Sequence, residues 1–144
     1  MIKEIEGDLF MHLEGRVPVH CIAADHRMGA GIAVPMARRF ALHEALDGYG
    51  TLLDWPSCVY ANGVLNLVTK RLSFHKPELS DFARALDEMN GLCRRYGITK
   101  LVMPRIGCGL DRLDWADVLT LLQEKVGDLD VLVCTPTHGL CFPK

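Results

Sequence analysis

The run Leu101-Val102-Met103-Pro104-Arg105-Ile106-Gly107-Cys108-Gly109-Leu110-Asp111 reads as a strand that passes into a glycine-rich turn and ends on a carboxylate. An apolar-periodic helix follows from near Leu113. A glycine turn between a strand and a helix can aim backbone N–H groups at a phosphate. The acid at its end adds a candidate for chemistry. A second turn, Met28-Gly29-Ala30-Gly31-Ile32, stands in the same relation to an apolar strand over 17–23 and a helix after it. Two such turns in one small domain point to a ligand that carries a diphosphate.

Working outward from these turns, short apolar strands are predicted over 2–5, 58–60, 64–68 and 131–134. Asn62-Gly63 tolerates the positive φ values of a tight hairpin between two of them. A helix over 31–46 places Ile32, Met36 and Phe40 along one face, and Pro35 fits only in its first turn. A second helix over 78–96 aligns Leu79, Phe82, Leu86, Met89 and Cys93, with Gly97 as its stop. Asp114 is placed to cap a third, running to Val126, with Trp115, Val118, Leu119 and Leu122 facing inward. Apolar strands alternating with amphipathic helices predict a three-layer α/β/α sandwich with a mixed central sheet. Residues 1–144 are expected to form one domain, with 135–144 as an irregular tail rich in breakers (Pro136, Gly139, Pro143).

A chain of 144 residues that is 49% apolar can bury a core without a metal or disulfide staple. Its net charge of -2 leaves no broad basic footprint for duplex nucleic acid. The six cysteines form no CxxC pair and no His/Cys cluster of zinc spacing, so no metal site is expected. Lys3, Glu4 and Glu6 near the N-terminus do not fit a secretory signal, and no apolar run reaches membrane-spanning length. The expectation is a reduced, monomeric, cytoplasmic protein, or a nuclear one if its source is eukaryotic, with no membrane partner.

Ligands of open α/β sheets bind beyond the carboxyl ends of the strands, which gathers residues 20–28, 29–32, 69–77 and 105–111. No third glycine follows Gly31 at the spacing of a dinucleotide fingerprint, and no G-K-[S/T] follows a glycine run. Hydride transfer and ATP hydrolysis therefore lack their usual signal, and no cofactor is expected. Lys70, at the end of an apolar strand, is either a solvent-facing amine or a nucleophile aimed at the ligand. Asp111 either caps the next helix or serves as a general acid–base. Asp8 either caps a turn beginning at Leu9 or accepts a hydrogen bond from an adenine amino group. His20 lies inside an apolar strand, the usual place of a core histidine, while Asp25 and His26 can meet a ribose. His75 and Lys76 read as exposed loop residues, and Trp55 and Trp115 as packing residues.

These residues together resemble the macro domain family, and within it the branch of the terminal ADP-ribose protein glycohydrolase. The resemblance rests on Gly7-Asp8-Leu9-Phe10, His20-Cys21-Ile22, Asp25 and Arg27-Met28-Gly29-Ala30-Gly31-Ile32-Ala33. It continues through Leu67-Val68-Thr69-Lys70, His75-Lys76-Pro77 and the run from Met103 to Asp111, then Leu113 and Trp115. It implies a macro domain with ADP-ribose, as ligand or product, in a crest-like cleft. Asp8 would hold the adenine. Leu9, His20, Ile22, Asp25, Met28, Gly29, Ala30, Gly31, Ile32, Thr69, Pro104, Ile106, Gly107, Cys108, Gly109 and Leu110 would complete the ADP-ribose site. Lys70 and Asp111 would be the catalytic pair. Ala23 and Ala24 depart from the resemblance, standing where a serine and an acid are expected.

The implied activity is that of an ADP-ribosyl hydrolase acting as a glycohydrolase or deacylase. Its partners would be an ADP-ribosylated protein bearing ester-linked acidic residues, a metabolite such as O-acyl-ADP-ribose, or a nucleic acid with a modified base. Two alternatives use the same residues. One is a non-catalytic ADP-ribose-binding module. The other is an ADP-ribose 1''-phosphate phosphatase carried by His20 or His26 with Asp111.

Overall fold

The strands β1 (Ile2–Glu6), β2 (Val17–Ala23), β3 (Ser57–Ala61), β4 (Val64–Lys70), β5 (Lys100–Met103) and β6 (Asp130–Thr135) form one sheet in a computed structural model that describes residues 1–136. Their order is β1-β6-β5-β2-β4-β3. Every neighbouring pair is parallel except β3 and β4, the predicted hairpin, turned by Asn62 (φ 48°) and Gly63 (φ 77°). The sheet is thus mixed, as expected.

Helices α1 (Ala33–Phe40) and α2 (Leu42–Asp47) cover one face, and α3 (Leu79–Tyr96) and α4 (Trp115–Val126) the other. Alternation along the central strands supplies both faces with apolar groups. Leu101, Met103, Val131 and Val133 pack under α3 and α4 with Phe82, Leu86, Met89, Val118 and Leu122. Val102, Leu132 and Cys134 point the other way, to a cluster that includes Met36, Ala37, Leu42 and Leu46. Phe82 is fully buried, and truncating such a ring costs about 3–5 kcal/mol.

Three expectations need correction. The helix over 31–46 is broken at Ala41, whose φ of 53° ends α1 and admits α2. The hairpin residue Asn62 donates its amide to Phe40 O at 2.9 Å and Ala41 O at 3.3 Å, partnering carbonyls at the break. That tertiary bond has no local signal. Pro35 sits third in α1, where its missing N–H costs no helical bond. Leu79, the first residue of α3, is exposed rather than packed with the other apolar positions of that face. Thr135 pairs with Glu6 as the last residue of β6, so the strand extends into the expected tail. Residues 137–144 of that tail, with Cys141, lie outside the described residues.

The topology places the site. The chain leaves β2 toward β4 and β3, and leaves β5 in the opposite direction toward β6. The strands β2 and β5 pair only at Val17 with Leu101 and Pro18 with Val102. Beyond these residues they part, opening a crevice at the carboxyl ends where the strand order switches direction.

Candidate active site

Lys70 ends β4 and Asp111 ends the second glycine turn, and their side chains meet at 2.6 Å. Each side chain is less than a sixth exposed, at 12% and 14%. The helix-cap reading of Asp111 is answered by Asp114, whose Oδ1 accepts from Ala116 N at 2.8 Å as the cap of α4. Asp111 is thereby left to the lysine.

The two turns face this pair. Gly107 (φ 76°) is required by its surroundings: a Cβ there would lie 2.9 Å from Leu113 Cδ1 and 3.0 Å from Phe82 Cε2. Gly31 (φ 60°) lies under Leu110, whose Cδ1 would be 3.3 Å from an added Cβ. Leu110 therefore bridges the crevice from one turn to the other. Gly29 and Gly109 have open space where a side chain would stand. The amides of Gly29, Ala30, Gly31 and Ile32, and of Gly107, Gly109, Leu110 and Asp111, donate to no acceptor among the described residues. Such a pair of amide arrays is suited to an anion. Left-handed non-glycine backbone clusters here too, at His26, Met28 and Arg112, a conformation sustained only where surrounding structure fixes it.

Of the residues expected at the site, Leu9, His20, Ile22, Met28, Thr69, Ile106 and Gly107 are buried. Pro104 and Cys108 are half-buried, and Ala30, Gly29, Gly109 and Leu110 are exposed. Asp8 caps the turn Leu9–Met11 through Oδ1, which accepts from Phe10 N at 3.0 Å. Its Oδ2 has no partner among the described residues, so capping leaves one oxygen available.

No family model matches the sequence. It is 36% identical over 138 residues to the ADP-ribose glycohydrolase OARD1 of Bos taurus, covering 94% of this chain and 91% of that protein. The Homo sapiens counterpart is 35% identical over the same length and shares. The chain belongs to the macro domain family, in the branch of these glycohydrolases. The macrodomain of Mycobacterium tuberculosis DarG has the same fold, with a TM-score of 0.73 at 22% identity over 95% of this chain and 99% of that one.

Other residues of this macro domain are engaged in ways their sequence context only partly forecast. Asp25 accepts from Ser73 N at 2.8 Å and Ser73 Oγ at 2.5 Å, and from Arg27 N at 3.3 Å. Burial would raise its carboxyl pKa, but these hydrogen bonds outweigh burial and hold it below the ordinary value. Both oxygens thus brace the first turn against the loop that follows Lys70 (the lysine loop). His26 turns to Gly50 O at 2.8 Å, with Nδ1 3.7 Å from Asp47. His20 Nε2 lies 2.6 Å from Asn66 Oδ1. Neither histidine is bonded to Asp111, so the pairing needed for the phosphatase alternative is not formed.

The tautomer of His20 follows from its partner. Asn66 Nδ2 is committed to Val59 O and Val64 O, so its Oδ1 is the acceptor and His20 Nε2 carries the proton. Burial lowers the His20 pKa to about 4, partly opposed by the Asn66 hydrogen bond. Beside the central pair, the Cys21 thiol is pushed well up by burial, with the Asp111 carboxylate adding to the effect. It is held as the neutral thiol.

Ser73, Asn66 and Glu4 carry no local signal in the sequence. Lys76, expected as an exposed loop residue, is exposed. Its Nζ nevertheless reaches Leu110 O at 2.5 Å, joining the lysine loop to the second turn. Its place in His75-Lys76-Pro77, a stretch of the family resemblance, was the available signal.

Proposed function

We propose that this chain binds ADP-ribose in the crevice and releases it from a modified substrate by means of Lys70 and Asp111. The observation that carries the reading is the 2.6 Å contact between these groups, set between two amide-lined turns. The backbone of Gly29–Ile32 and of Ile106–Leu110 would receive the diphosphate and the distal ribose. The open oxygen of Asp8 would accept from the adenine amino group.

In the proposed reaction the Lys70 ammonium passes a proton to the Asp111 carboxylate it already touches. The freed amine attacks C1 of the distal ribose, and the bond from C1 to the leaving group breaks. Asp111 returns its proton to the leaving group, then activates the water that resolves the lysyl adduct and frees ADP-ribose. An amine held beside a carboxylate meets both needs without a metal ligand. Leaving groups of suitable chemistry at C1 are the carboxylate of an acidic side chain and a nucleic-acid base. With O-acyl-ADP-ribose, Asp111 would instead activate water to attack the acyl carbonyl and return the proton to the departing ribose oxygen, beside the Lys70 ammonium.

Release of ADP-ribose from O-acetyl-ADP-ribose, an ADP-ribosyl ester and an ADP-ribosylated oligonucleotide tests the proposal. Lys70→Ala and Asp111→Ala should each lower kcat by at least about 100-fold. An unchanged rate in both would remove the assignment. Binding of ADP-ribose with no turnover of any substrate would make the protein a binding module instead.

A further inference from the structure

We infer that Glu4 is a positioning residue for the Asp111-bearing turn, its one carboxylate fastening both ends of residues 105–115 to the sheet. Arg105 opens this segment, and its Nε and Nη2 each lie 2.5 Å from Glu4 Oε1. Trp115 closes the segment as the first residue of α4, and its Nε1 donates to Glu4 Oε2 at 3.3 Å. Thr135 Oγ1, at the end of β6, adds a fourth donor atom at 3.2 Å from Glu4 Oε1. The Arg105 guanidinium also lies 5.3 Å over the Trp115 ring, so the two ends hold each other as well as the carboxylate.

The placement argues for a local task. Glu4 stands on the edge strand β1, and its side chain and that of Arg105 are 33% and 45% exposed. A partly exposed pair contributes little to global stability, but a charge-assisted bond to two nitrogens fixes geometry well. Within the segment, Cys108 N donates to Arg105 O and Leu113 N to Gly107 O. The tip is held separately, by Lys70 on Asp111 and Lys76 on Leu110 O. Loss of Glu4 would free the base of the turn while its tip stays in place. The amides of Gly107 and Gly109 would then be ordered by the ligand rather than by the fold, which weakens binding. The chemistry at Asp111 would persist once ligand is bound.

A merely structural role would do the reverse: a smaller folded fraction lowers apparent kcat and leaves KM alone. Arg16 supplies the comparison. It braces β5 and β6 at the opposite end of the sheet, through Leu101 O at 2.9 Å and Asp130 Oδ1 at 2.9 Å.

The role rests on the proposed hydrolase reading only for its kinetic readout. The test uses the full chain with Glu4→Ala, the milder Glu4→Gln, and Arg16→Ala. ADP-ribose affinity, turnover of O-acetyl-ADP-ribose and amide hydrogen exchange are measured for each. Glu4→Ala should raise Kd and KM about tenfold with kcat held within about twofold, and Glu4→Gln should raise them about threefold. Exchange should quicken over residues 105–114 and not in α3, while Arg16→Ala leaves Kd unchanged. Equal effects of the Glu4 and Arg16 variants, or unaltered exchange over 105–114, would overturn the role. If the wild-type chain releases no ADP-ribose, the hydrolase reading fails alone, because exchange still decides the clamp.

Discussion

The first and second glycine turns occupy matching positions, after β2 and after β5, yet they are held by different means. The first is braced before its glycines, by Asp25 on Ser73 and by His26 on Gly50 O. From Gly29 to Ile32 it then runs without a side-chain tie among the described residues. The second is fixed throughout: Arg105 and Trp115 at its base, Gly107 against Phe82 and Leu113, and Lys70 and Lys76 at its tip. A surface made of backbone amides can adapt to its ligand at small cost. A carboxylate that must meet a particular carbon cannot, since small displacements of a reacting group lose much of its effect. On the proposed reading, the contrast separates a turn that would only bind from one that would also carry chemistry.

The contrast is broken most directly at the glycines themselves. Gly107→Ala would put a methyl within 2.9 Å of Leu113 and 3.0 Å of Phe82, on a backbone with φ of 76°. Left-handed strain and overpacking together should remove about 3–4 kcal/mol of stability. Gly29→Ala meets no atom within 4 Å. It should change stability by less than about 0.5 kcal/mol while weakening ADP-ribose binding, because its methyl enters the space offered to the ligand. Denaturant unfolding and calorimetry on both variants check the pair. Similar stability losses at the two sites would mean that the first turn is as tightly built as the second.

The strands beneath the turns differ too, and acid should sharpen that difference. Beneath the second turn, β5 buries Leu101, Val102 and Met103. Beneath the first, β2 buries His20, whose folded-state pKa is about 4 against an ordinary 6.5. Between these values the unfolded chain binds the extra proton, so stability falls as pH drops from about 6.5 toward 4. The full loss is about 3 kcal/mol. His20→Gln keeps a donor for Asn66 Oδ1 and does not titrate, so it should flatten this limb of the stability profile. Asp25 adds a loss only at lower pH, since its carboxyl pKa lies below 3.8. Retention of the limb in His20→Gln would assign it to another group.

The features legible in the sequence were those written in local pattern. Strand alternation, the Asn62-Gly63 hairpin, the Gly97 stop and the Asp114 cap all depend on neighbours within a few residues, and all appear in the fold. Lys70 and Asp111 are legible in the same way, one at a strand end and the other at the close of a glycine turn. What stayed hidden depends on partners far along the chain. The break at Ala41 is partnered by Asn62, and Asp25 is occupied by Ser73. Glu4 reaches a residue 101 positions away. Each of these is a side chain bonding to a segment that only folding brings near. Pattern shows where the turns are; tertiary hydrogen bonds decide how firmly they are held.

Lys76 is where the two kinds of support overlap, and its removal should give the smallest effect. Its Nζ donates to Leu110 O at 2.5 Å from an exposed position. A single exposed hydrogen bond of this type contributes about 0.5–1.5 kcal/mol at most. Leu110 also leans on Gly31, so this bond steadies the one side chain that spans both turns. Lys76→Met keeps the aliphatic stem and removes the donor, and should raise KM about threefold with little change in Tm. Hydrogen exchange should quicken at Arg112 and Leu113, whose amides are bonded to Gly109 O and Gly107 O, and also at Val34, held by Gly31 O across the crevice. Quickening confined to the second turn would mean that Leu110 does not couple them, and that the two turns meet the ligand independently.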